Sequence, residues 1–96
     1  MMYSIYQLKE SAKSKLFLSY DQTQKQGGVI FNEYETVYTG EIEGSDPAEI
    51  LEKIYVIFNL NHPKGFRGHS LSVSDLVALE DTGTYFCDRF GWKQIN

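Results

Sequence analysis

Three side chains that could form a hydrolytic centre occur close together in the C-terminal half of the chain: His69, Ser70 and Asp75. A histidine base, a serine nucleophile and an orienting carboxylate are the groups that nucleophilic catalysis uses. Triads are assembled from separate elements by the fold, and adjacent histidine and serine residues supply neither the alignment nor an oxyanion hole by themselves. We therefore expect no catalytic residue, and interpret His69 and Ser70 as partners of loop backbone and Asp75 as a turn residue. A small hydrolase that uses His69 and Ser70 stays open as an alternative.

Metal and thiol chemistry find little support in the spacing. The two histidines, His62 and His69, could join Asp75 or Asp88 around an ion, but their spacing matches no known helix or knuckle pattern. Cys87 is the only cysteine, so neither an intrachain disulfide nor a cysteine-based zinc cluster is available. A lone thiol within an alternating strand is typical of a small buried hydrophobe. The sequence predicts no metal and no cofactor.

The segment from Asn59 to Gly68 is predicted to be a loop, because Pro63 fixes its own φ and restrains His62. Lys64 and Arg67 flank Phe66 there, a combination that could contact phosphate or stack on a base. Two cations are too few for that role, and an aromatic residue beside an arginine equally suits a pocket of a partner protein. Alternatively, Phe66 folds beneath the loop and caps the core. The predicted partner-binding residues are His62, Lys64, Phe66, Arg67, His69, Ser70 and Trp92.

The elements that follow this loop are predicted to be strands. Leu76–Leu79 is an apolar run, 81–83 supplies turn chemistry with a glycine, and 84–87 is β-branched and aromatic. Gly91 marks a second bend before residues 92–95. The pattern predicts a three-stranded antiparallel meander.

Two strands and two helices are expected before the loop. Residues 2–8 alternate with large side chains on both faces, which predicts a central strand, and residues 9–15 resemble an exposed connection. Ser19 and Gln22 form a capping box for a helix over 20–26. Residues 29–31 are expected to pack as a brief apolar segment.

Residues 34–42 are predicted to form the second long strand. Asp46 as N-cap, Pro47 at the first helical position and Glu49 reaching back from N3 predict the start of the second helix. Glu49 and Lys53 could form an ion pair on its outer face. Its apolar face comprises Ile50, Leu51, Ile54, Tyr55, Ile57 and Phe58.

The chain has 96 residues and no internal linker, so we expect one domain spanning residues 1–96. The order of elements predicts an α+β fold, a mainly antiparallel sheet of four to five strands with two helices packed on one face.

Composition excludes several classes of function. The net charge of −4 argues against a nucleic acid as a direct ligand, because duplex binding relies on cations that displace counterions. No segment approaches the ~20 apolar residues of a membrane span, so we expect no membrane partner. The lone cysteine fits a reducing cytoplasm. The seven tyrosines could form a tyrosine-rich surface suited to protein contacts. Alternatively, they lie at the margin of a core of phenylalanine and isoleucine.

One set of motifs is informative in combination: Phe58-Asn59, His62-Pro63, Phe66, Gly68 to Asp75, Tyr85 to Asp88 and Phe90 to Lys93, with Ile5 to Lys9, Ser19 to Asp21 and Val37 to Gly40 in the N-terminal half. Together these motifs resemble the YodL-like domain, which occurs in firmicute proteins and in small or multi-domain proteins of conjugative elements and phages. Where many relatives have glycine before the aspartate, this chain has Ser74.

The resemblance supplies no catalytic residues. It implies a non-enzymatic interaction module of a mobile genetic element or phage that binds and inhibits a host protein, such as a defence nuclease in restriction or CRISPR systems. A nucleic-acid-associated accessory domain for element transfer is the alternative from another class. Neither hypothesis specifies an oligomeric state.

Overall fold

A single five-stranded antiparallel sheet organises the computed structural model, which describes all 96 residues, Met1–Asn96. Its strands are β1 (Met2–Leu8), β2 (Tyr34–Glu41), β3 (Leu76–Leu79), β4 (Gly83–Asp88) and β5 (Gly91–Gln94), in the order β2-β1-β3-β4-β5. The helices are α1 (Tyr20–Lys25) and α2 (Pro47–Leu60), and two short 3-10 segments cover Glu10–Lys15 and Phe31–Glu33. The predicted α+β class, the antiparallel sheet, the interior position of the first strand and the C-terminal meander are confirmed.

β1 is interior because it pairs with β2 on one side and with β3 on the other, and both of its faces are covered. Tyr3 and Ile5 belong to the larger core under α2, whereas Leu8 belongs to a smaller core on the opposite face. The register with β2 shifts between Ile5 and Tyr6, where Val37 is the additional residue of a bulge. β2 is paired on one side only, so its other side is an edge of the sheet.

The prediction that both helices pack on one face is wrong. α2 lies on the face that contains Tyr85, whereas Tyr20 at the start of α1 packs edge-on against Phe86, with ring centroids 5.5 Å apart. Adjacent residues of a strand point to opposite faces, so the two helices cover opposite sides of the sheet. Both sides of the short strands β3 and β4 can be buried only in this arrangement. Leu76 and Phe86 form the smaller core with Leu8, Ala12 and Tyr34.

The start of α2 follows its predicted chemistry in part. Asp46 Oδ1 accepts from Ala48 N at 3.2 Å and Pro47 occupies the first turn. Glu49 does not return a bond to the cap, and its predicted ion pair with Lys53 is not formed. The buried face consists of Ile50, Leu51, Ile54 and Phe58, so Tyr55 and Ile57 lie at its margins rather than within it.

Three local predictions need correction. α2 continues to Leu60, so the predicted loop begins two residues later than expected, because no glycine or proline interrupts the helix before Pro63. The segment 9–15 is mainly a 3-10 helix whose Ala12 is buried, not an exposed connection. Phe31 is exposed rather than packed.

The capping box of Ser19 and Gln22 is confirmed, with both reciprocal bonds present. None of the helices has the length and apolar content that crossing a bilayer would take.

The packing of α2 predicts a large difference between two phenylalanines. Phe58 is fully buried and contacts the rings of Tyr3, Tyr38 and Phe66, whereas Phe90 is fully exposed. Phe58→Ala should lower the free energy of unfolding by ~3–5 kcal/mol through lost burial and a residual cavity. Phe90→Ala, the matched control, should change it by less than ~0.5 kcal/mol. Urea denaturation of both variants tests this, and similar losses would mean that α2 does not lie on the sheet as described.

Candidate functional site

The polar centre of the molecule is the side chain of Gln7, which is almost fully buried on β1. Its Nε2 donates to the carbonyl oxygen of His69 at 2.8 Å and to Asp75 Oδ2 at 3.0 Å. Its Oε1 accepts from the backbone N–H of His69 at 3.1 Å. The amide therefore holds both backbone groups of His69 in the way that a neighbouring strand would. A Cβ at Gly68 would overlap this amide, so only glycine allows the loop to approach β1 so closely.

Asp75 is the second member of this buried network. Its Oδ2 accepts from Gln7 and, at 2.8 Å, from the backbone N–H of Ser72, while its own N–H donates to Ser72 O at 3.0 Å. The predicted turn role of Asp75 is thereby confirmed. Its carbonyl oxygen accepts from Cys87 N at 2.8 Å, which connects the turn to β4. The other carboxyl oxygen, Oδ1, is buried, has no hydrogen bond and lies 3.9 Å from His69 Nε2.

Burial dominates the electrostatics of this carboxyl group. Desolvation raises the pKa of Asp75 to about 7, against the lowering effects of the Ser72 N–H, the His69 ring and the Gln7 amide. The carboxyl group of Asp75 therefore titrates near neutral pH. The basic side chain beside it is that of His69. Burial followed by the nearby Asp75 carboxyl also raises the pKa of Tyr34, which stays a neutral hydroxyl.

The geometry of His69 does not align Ser70 for catalysis. His69 Nδ1 lies 2.7 Å from the carbonyl oxygen of Ser70, which can only accept, so a hydrogen bond between these two atoms requires the tautomer with a proton on Nδ1. Nε2 faces Asp75, and Ser70 Oγ makes no hydrogen bond to either ring nitrogen. The three residues of the hypothetical triad are therefore close together, but the pair that would activate the serine is absent.

Two residues beside the network have left-handed backbones. Ser74 has φ +87° and Phe17 has φ +66°, although neither is glycine. They hold each other, because Phe17 N donates to Ser74 Oγ at 3.1 Å. Ser74 is also held by Tyr34, whose hydroxyl donates to its carbonyl oxygen at 2.7 Å. Such conformations cost about 1–3 kcal/mol each and persist only where their surroundings enforce them.

The loop from His62 to Ser70, here called the braced loop, is held at further points. Arg67 Nη2 donates to Thr36 O at 3.3 Å, and Asn59 Nδ2 donates to Leu71 O at 3.1 Å just beyond the loop. The ring of Phe66 packs on Phe58 at 4.9 Å between centroids. Phe66 thus covers the core from beneath the loop, which is the alternative that the sequence left open.

The predicted site residues separate into three groups. His62, Lys64, Arg67, His69 and Ser70 are exposed on the braced loop. Phe66 is half-buried under it. Trp92 lies elsewhere, on the edge strand β5, where it pairs with Cys87 and packs on the larger core. The structure does not bring Trp92 into the loop surface.

Sequence reasoning missed Gln7 and Phe17. A signal for Gln7 existed, because it follows Tyr3 and Ile5 on the buried side of a central strand, where a polar side chain requires partners. Phe17 carried no such signal. It is 58% exposed, and its ring centroid lies 6.2 Å from that of His69, so it extends the surface of the braced loop.

The structure also bears on the two other candidate chemistries, a metal site and a reactive thiol. No group of three or more His, Cys, Asp or Glu side chains is placed to hold a metal ion. Cys87 is buried on β4, and burial, with smaller effects of Asp75, Asp88 and Glu52, raises the pKa of its thiol to about 12. The thiol is therefore protonated at neutral pH, as predicted for a structural cysteine.

The fold and the network together define a small α+β domain in which the buried amide of Gln7 on β1 orders an exposed loop. The chain belongs to the YodL-like domain family, whose model matches residues 2–96. Ser74 occupies the position before the aspartate where the resemblance suggested glycine, and its positive φ explains why glycine suits that position. No curated protein and no solved structure matches the chain.

The raised pKa of Asp75 makes a prediction about pH. The folded state holds the carboxyl proton more tightly than the unfolded chain, so stability due to this group falls as pH rises from about 4 to about 7 and then levels off. Asp75→Asn keeps an acceptor for Gln7 and Ser72 and cannot ionise. Between pH 4 and pH 7 the stability of wild type relative to the variant should therefore fall by a few kcal/mol. Urea denaturation at several pH values checks this, and parallel pH profiles would contradict the assignment.

A second prediction concerns the amide of Gln7. Gln7→Ala removes three hydrogen bonds and leaves the backbone groups of His69 without partners. We expect a loss of ~2–4 kcal/mol in unfolding free energy, since each unsatisfied buried group costs ~1–3 kcal/mol. Gln24→Ala on the exposed side of α1 is the control and should be nearly neutral. Hydrogen exchange should also show faster exchange of the His69 amide; unchanged exchange would mean that the amide does not hold the loop.

Proposed function

We propose that this protein is a non-enzymatic interaction module of a mobile genetic element or phage, which binds and inhibits a host protein in the cytoplasm through the braced loop. A defence nuclease of a restriction or CRISPR system is the partner class that we favour. The observation that supports the proposal most is the double clamp of Gln7 on His69, which fixes the loop while most of its side chains remain exposed.

A fixed loop lowers the cost of binding. A mobile loop loses conformational entropy when a partner orders it, at about 0.5–1.5 kcal/mol for each immobilised side chain, whereas a loop that is already ordered loses less. Gln7, Arg67 and the half-buried ring of Phe66 order this loop in the free protein. The strained backbone at Phe17 and Ser74 is a further sign that the region is built for more than stability.

The exposed side chains of the loop suit a protein surface of opposite charge. Between residues 61 and 74 there is no acidic residue, while Lys64, Arg67 and two histidines are present. The exposed ring of Phe17 adds an apolar contact beside His69. Aromatic and arginine side chains are frequent hot spots of protein interfaces. We infer that the partner presents an acidic patch next to an apolar recess.

The alternatives receive less support. For the small hydrolase, both nitrogens of His69 are directed away from Ser70 Oγ, so the base has no nucleophile to activate. For the nucleic-acid accessory domain, two loop cations would neutralise too few phosphates to give tight binding. We assign the protein to a mobile element because of the kinds of protein in which YodL-like domains occur. The choice of a defence nuclease as partner rests on the same reasoning.

The test uses a panel of purified restriction and CRISPR nucleases, scored for complex formation and for inhibition of cleavage. We expect at least one nuclease to be bound and inhibited, and Lys64→Ala/Arg67→Ala to weaken that binding at least tenfold, or about 1.4 kcal/mol. Lys25→Ala/Arg89→Ala is the matched control, because it removes the same charge from exposed sites outside the loop and should change the affinity less than twofold.

Three outcomes would contradict the proposal. The first is neither binding nor inhibition across a broad panel. The second is equal weakening by the loop variant and the control variant, which would indicate unspecific electrostatic attraction. The third is tight binding to nucleic acid with an affinity that falls steeply with salt, which would favour the accessory-domain alternative.

A further inference from the structure

The negative charge of this protein is concentrated in one segment. Residues 41–53 contain five acidic side chains and one lysine, a net charge of −4, which equals the net charge of the whole chain. The remaining 83 residues hold eight acidic and eight basic side chains and are neutral as a group. The acidic segment covers the end of β2, the connection to α2 and the first half of α2. A surface so polarised attracts a partner of opposite charge.

An apolar groove lies within this acidic surface. It has a volume of about 660 Å³ and is lined by Ile42, Val56 and Ile57 together with Glu41, Glu43, Glu52 and Lys53. The apolar surface continues along the exposed side of α2, where Val56 is 52% and Leu60 is 81% exposed. Residues four apart on a helix are neighbours, so Val56 and Leu60 form a row beside the groove. The site therefore combines an apolar floor with a mainly acidic rim.

The groove adjoins a free edge of the sheet. β2 pairs only with β1, and Met1 and Ile42 exchange both of their backbone hydrogen bonds, each 2.9 Å long. In an antiparallel pair the bonded residues alternate, so the backbone groups of Thr39 and Glu41 point away from β1. Farther along the edge, Arg67 donates a hydrogen bond to the outward carbonyl oxygen of Thr36. The open edge thus runs from beyond Thr36 to the groove.

We propose that this edge and groove bind an extended, basic segment of a partner protein, which pairs with β2 as an additional strand. Its alternate side chains would face two different surfaces. Those on the α2 side, where Ile42 packs against the larger core, are apolar and enter the groove. Those on the opposite side, where Thr39 bonds to Ser4, are lysine or arginine and approach Glu41. Main-chain bonds supply affinity and the alternation supplies specificity.

The charges of the site favour a basic strand of a partner protein over a second copy of this chain or a nucleic acid. Pairing of β2 with β2 of a second copy would bring Glu35 and Glu41 of both chains to one interface, without any cation on either strand. Nucleic acid would be repelled by the same carboxylates. A basic strand is the occupant that the charges favour. This site is separate from the braced loop, so either proposal can fail while the other stands.

The experiment is a titration of ¹⁵N-labelled protein with the peptide acetyl-Arg-Val-Lys-Ile-Lys-Val-Arg-amide, followed by NMR. We expect the largest amide shifts at Thr39, Glu41 and Ile57. Glu43→Lys/Glu52→Lys should weaken binding at least tenfold. Glu10→Lys/Asp21→Lys, which makes the same charge change at exposed sites outside the acidic segment, should weaken it less than threefold. The same peptide with alternate amides N-methylated on its pairing edge should bind at least fivefold more weakly, because it cannot pair with β2.

Other results would overturn the proposal. No amide shift at millimolar peptide would show that the edge is not a binding site. Shifts centred on residues 62–70 would place the peptide at the braced loop. Equal weakening in the two charge variants would show unspecific attraction, and full binding of the N-methylated peptide would show that the backbone of β2 takes no part. Thermal denaturation confirms that each variant is folded before its affinity is interpreted.

Discussion

A carboxyl group without contact to solvent lies where two strands, a turn and a loop meet, and the structure depends on how its polar atoms are satisfied. Removing a carboxylate from water is costly unless it is neutralised or hydrogen-bonded. Asp75 accepts hydrogen bonds from two directions, from the amide of Gln7 on β1 and from the N–H of Ser72 in the turn, and the ring of His69 lies 3.9 Å from its other oxygen. Satisfying one buried group thus fixes the position of each of these segments relative to the sheet. The remaining unpaired oxygen, Oδ1, is the one point at which the network is incomplete.

This constraint separates the inside of the molecule from its binding surfaces. Residues that could have been catalytic are used to hold the backbone, because both nitrogens of His69 and both bonding groups of the Gln7 amide are directed inward or along the loop. The exposed side chains of the same loop make few contacts within the protein. A network that faces inward and a loop surface that faces outward favour recognition over reaction, and this supports an interaction module among the functions considered.

Local chemistry predicted the elements, but not the contacts between distant segments. The capping box at Ser19, the Asp46-Pro47 helix start and the bend at Gly91 depend on residues within a few positions, and each forms as expected. The face on which α1 packs depends on which side of β4 carries Phe86, which requires knowledge of the whole sheet. Gln7 and His69 are 62 positions apart, so no local pattern could pair them. The role of Phe66 remained open for the same reason, since its partner Phe58 precedes a turn whose path the sequence does not determine.

The two proposed surfaces meet along β2, and their spacing has a consequence for the partner. Arg67 of the braced loop bonds to Thr36, whereas the acidic groove begins at Glu41 and Ile42. Ile42 lies six positions after Thr36 along extended backbone, a distance of about 20 Å. A standard interface of ~800 Å² on each partner is roughly 30 Å across, so a single partner could contact both surfaces. Since one surface is basic and the other acidic, such a partner would need the reverse arrangement of charge, and a reversed orientation would bring like charges together. The polarity of the β2 edge would then determine orientation as well as affinity.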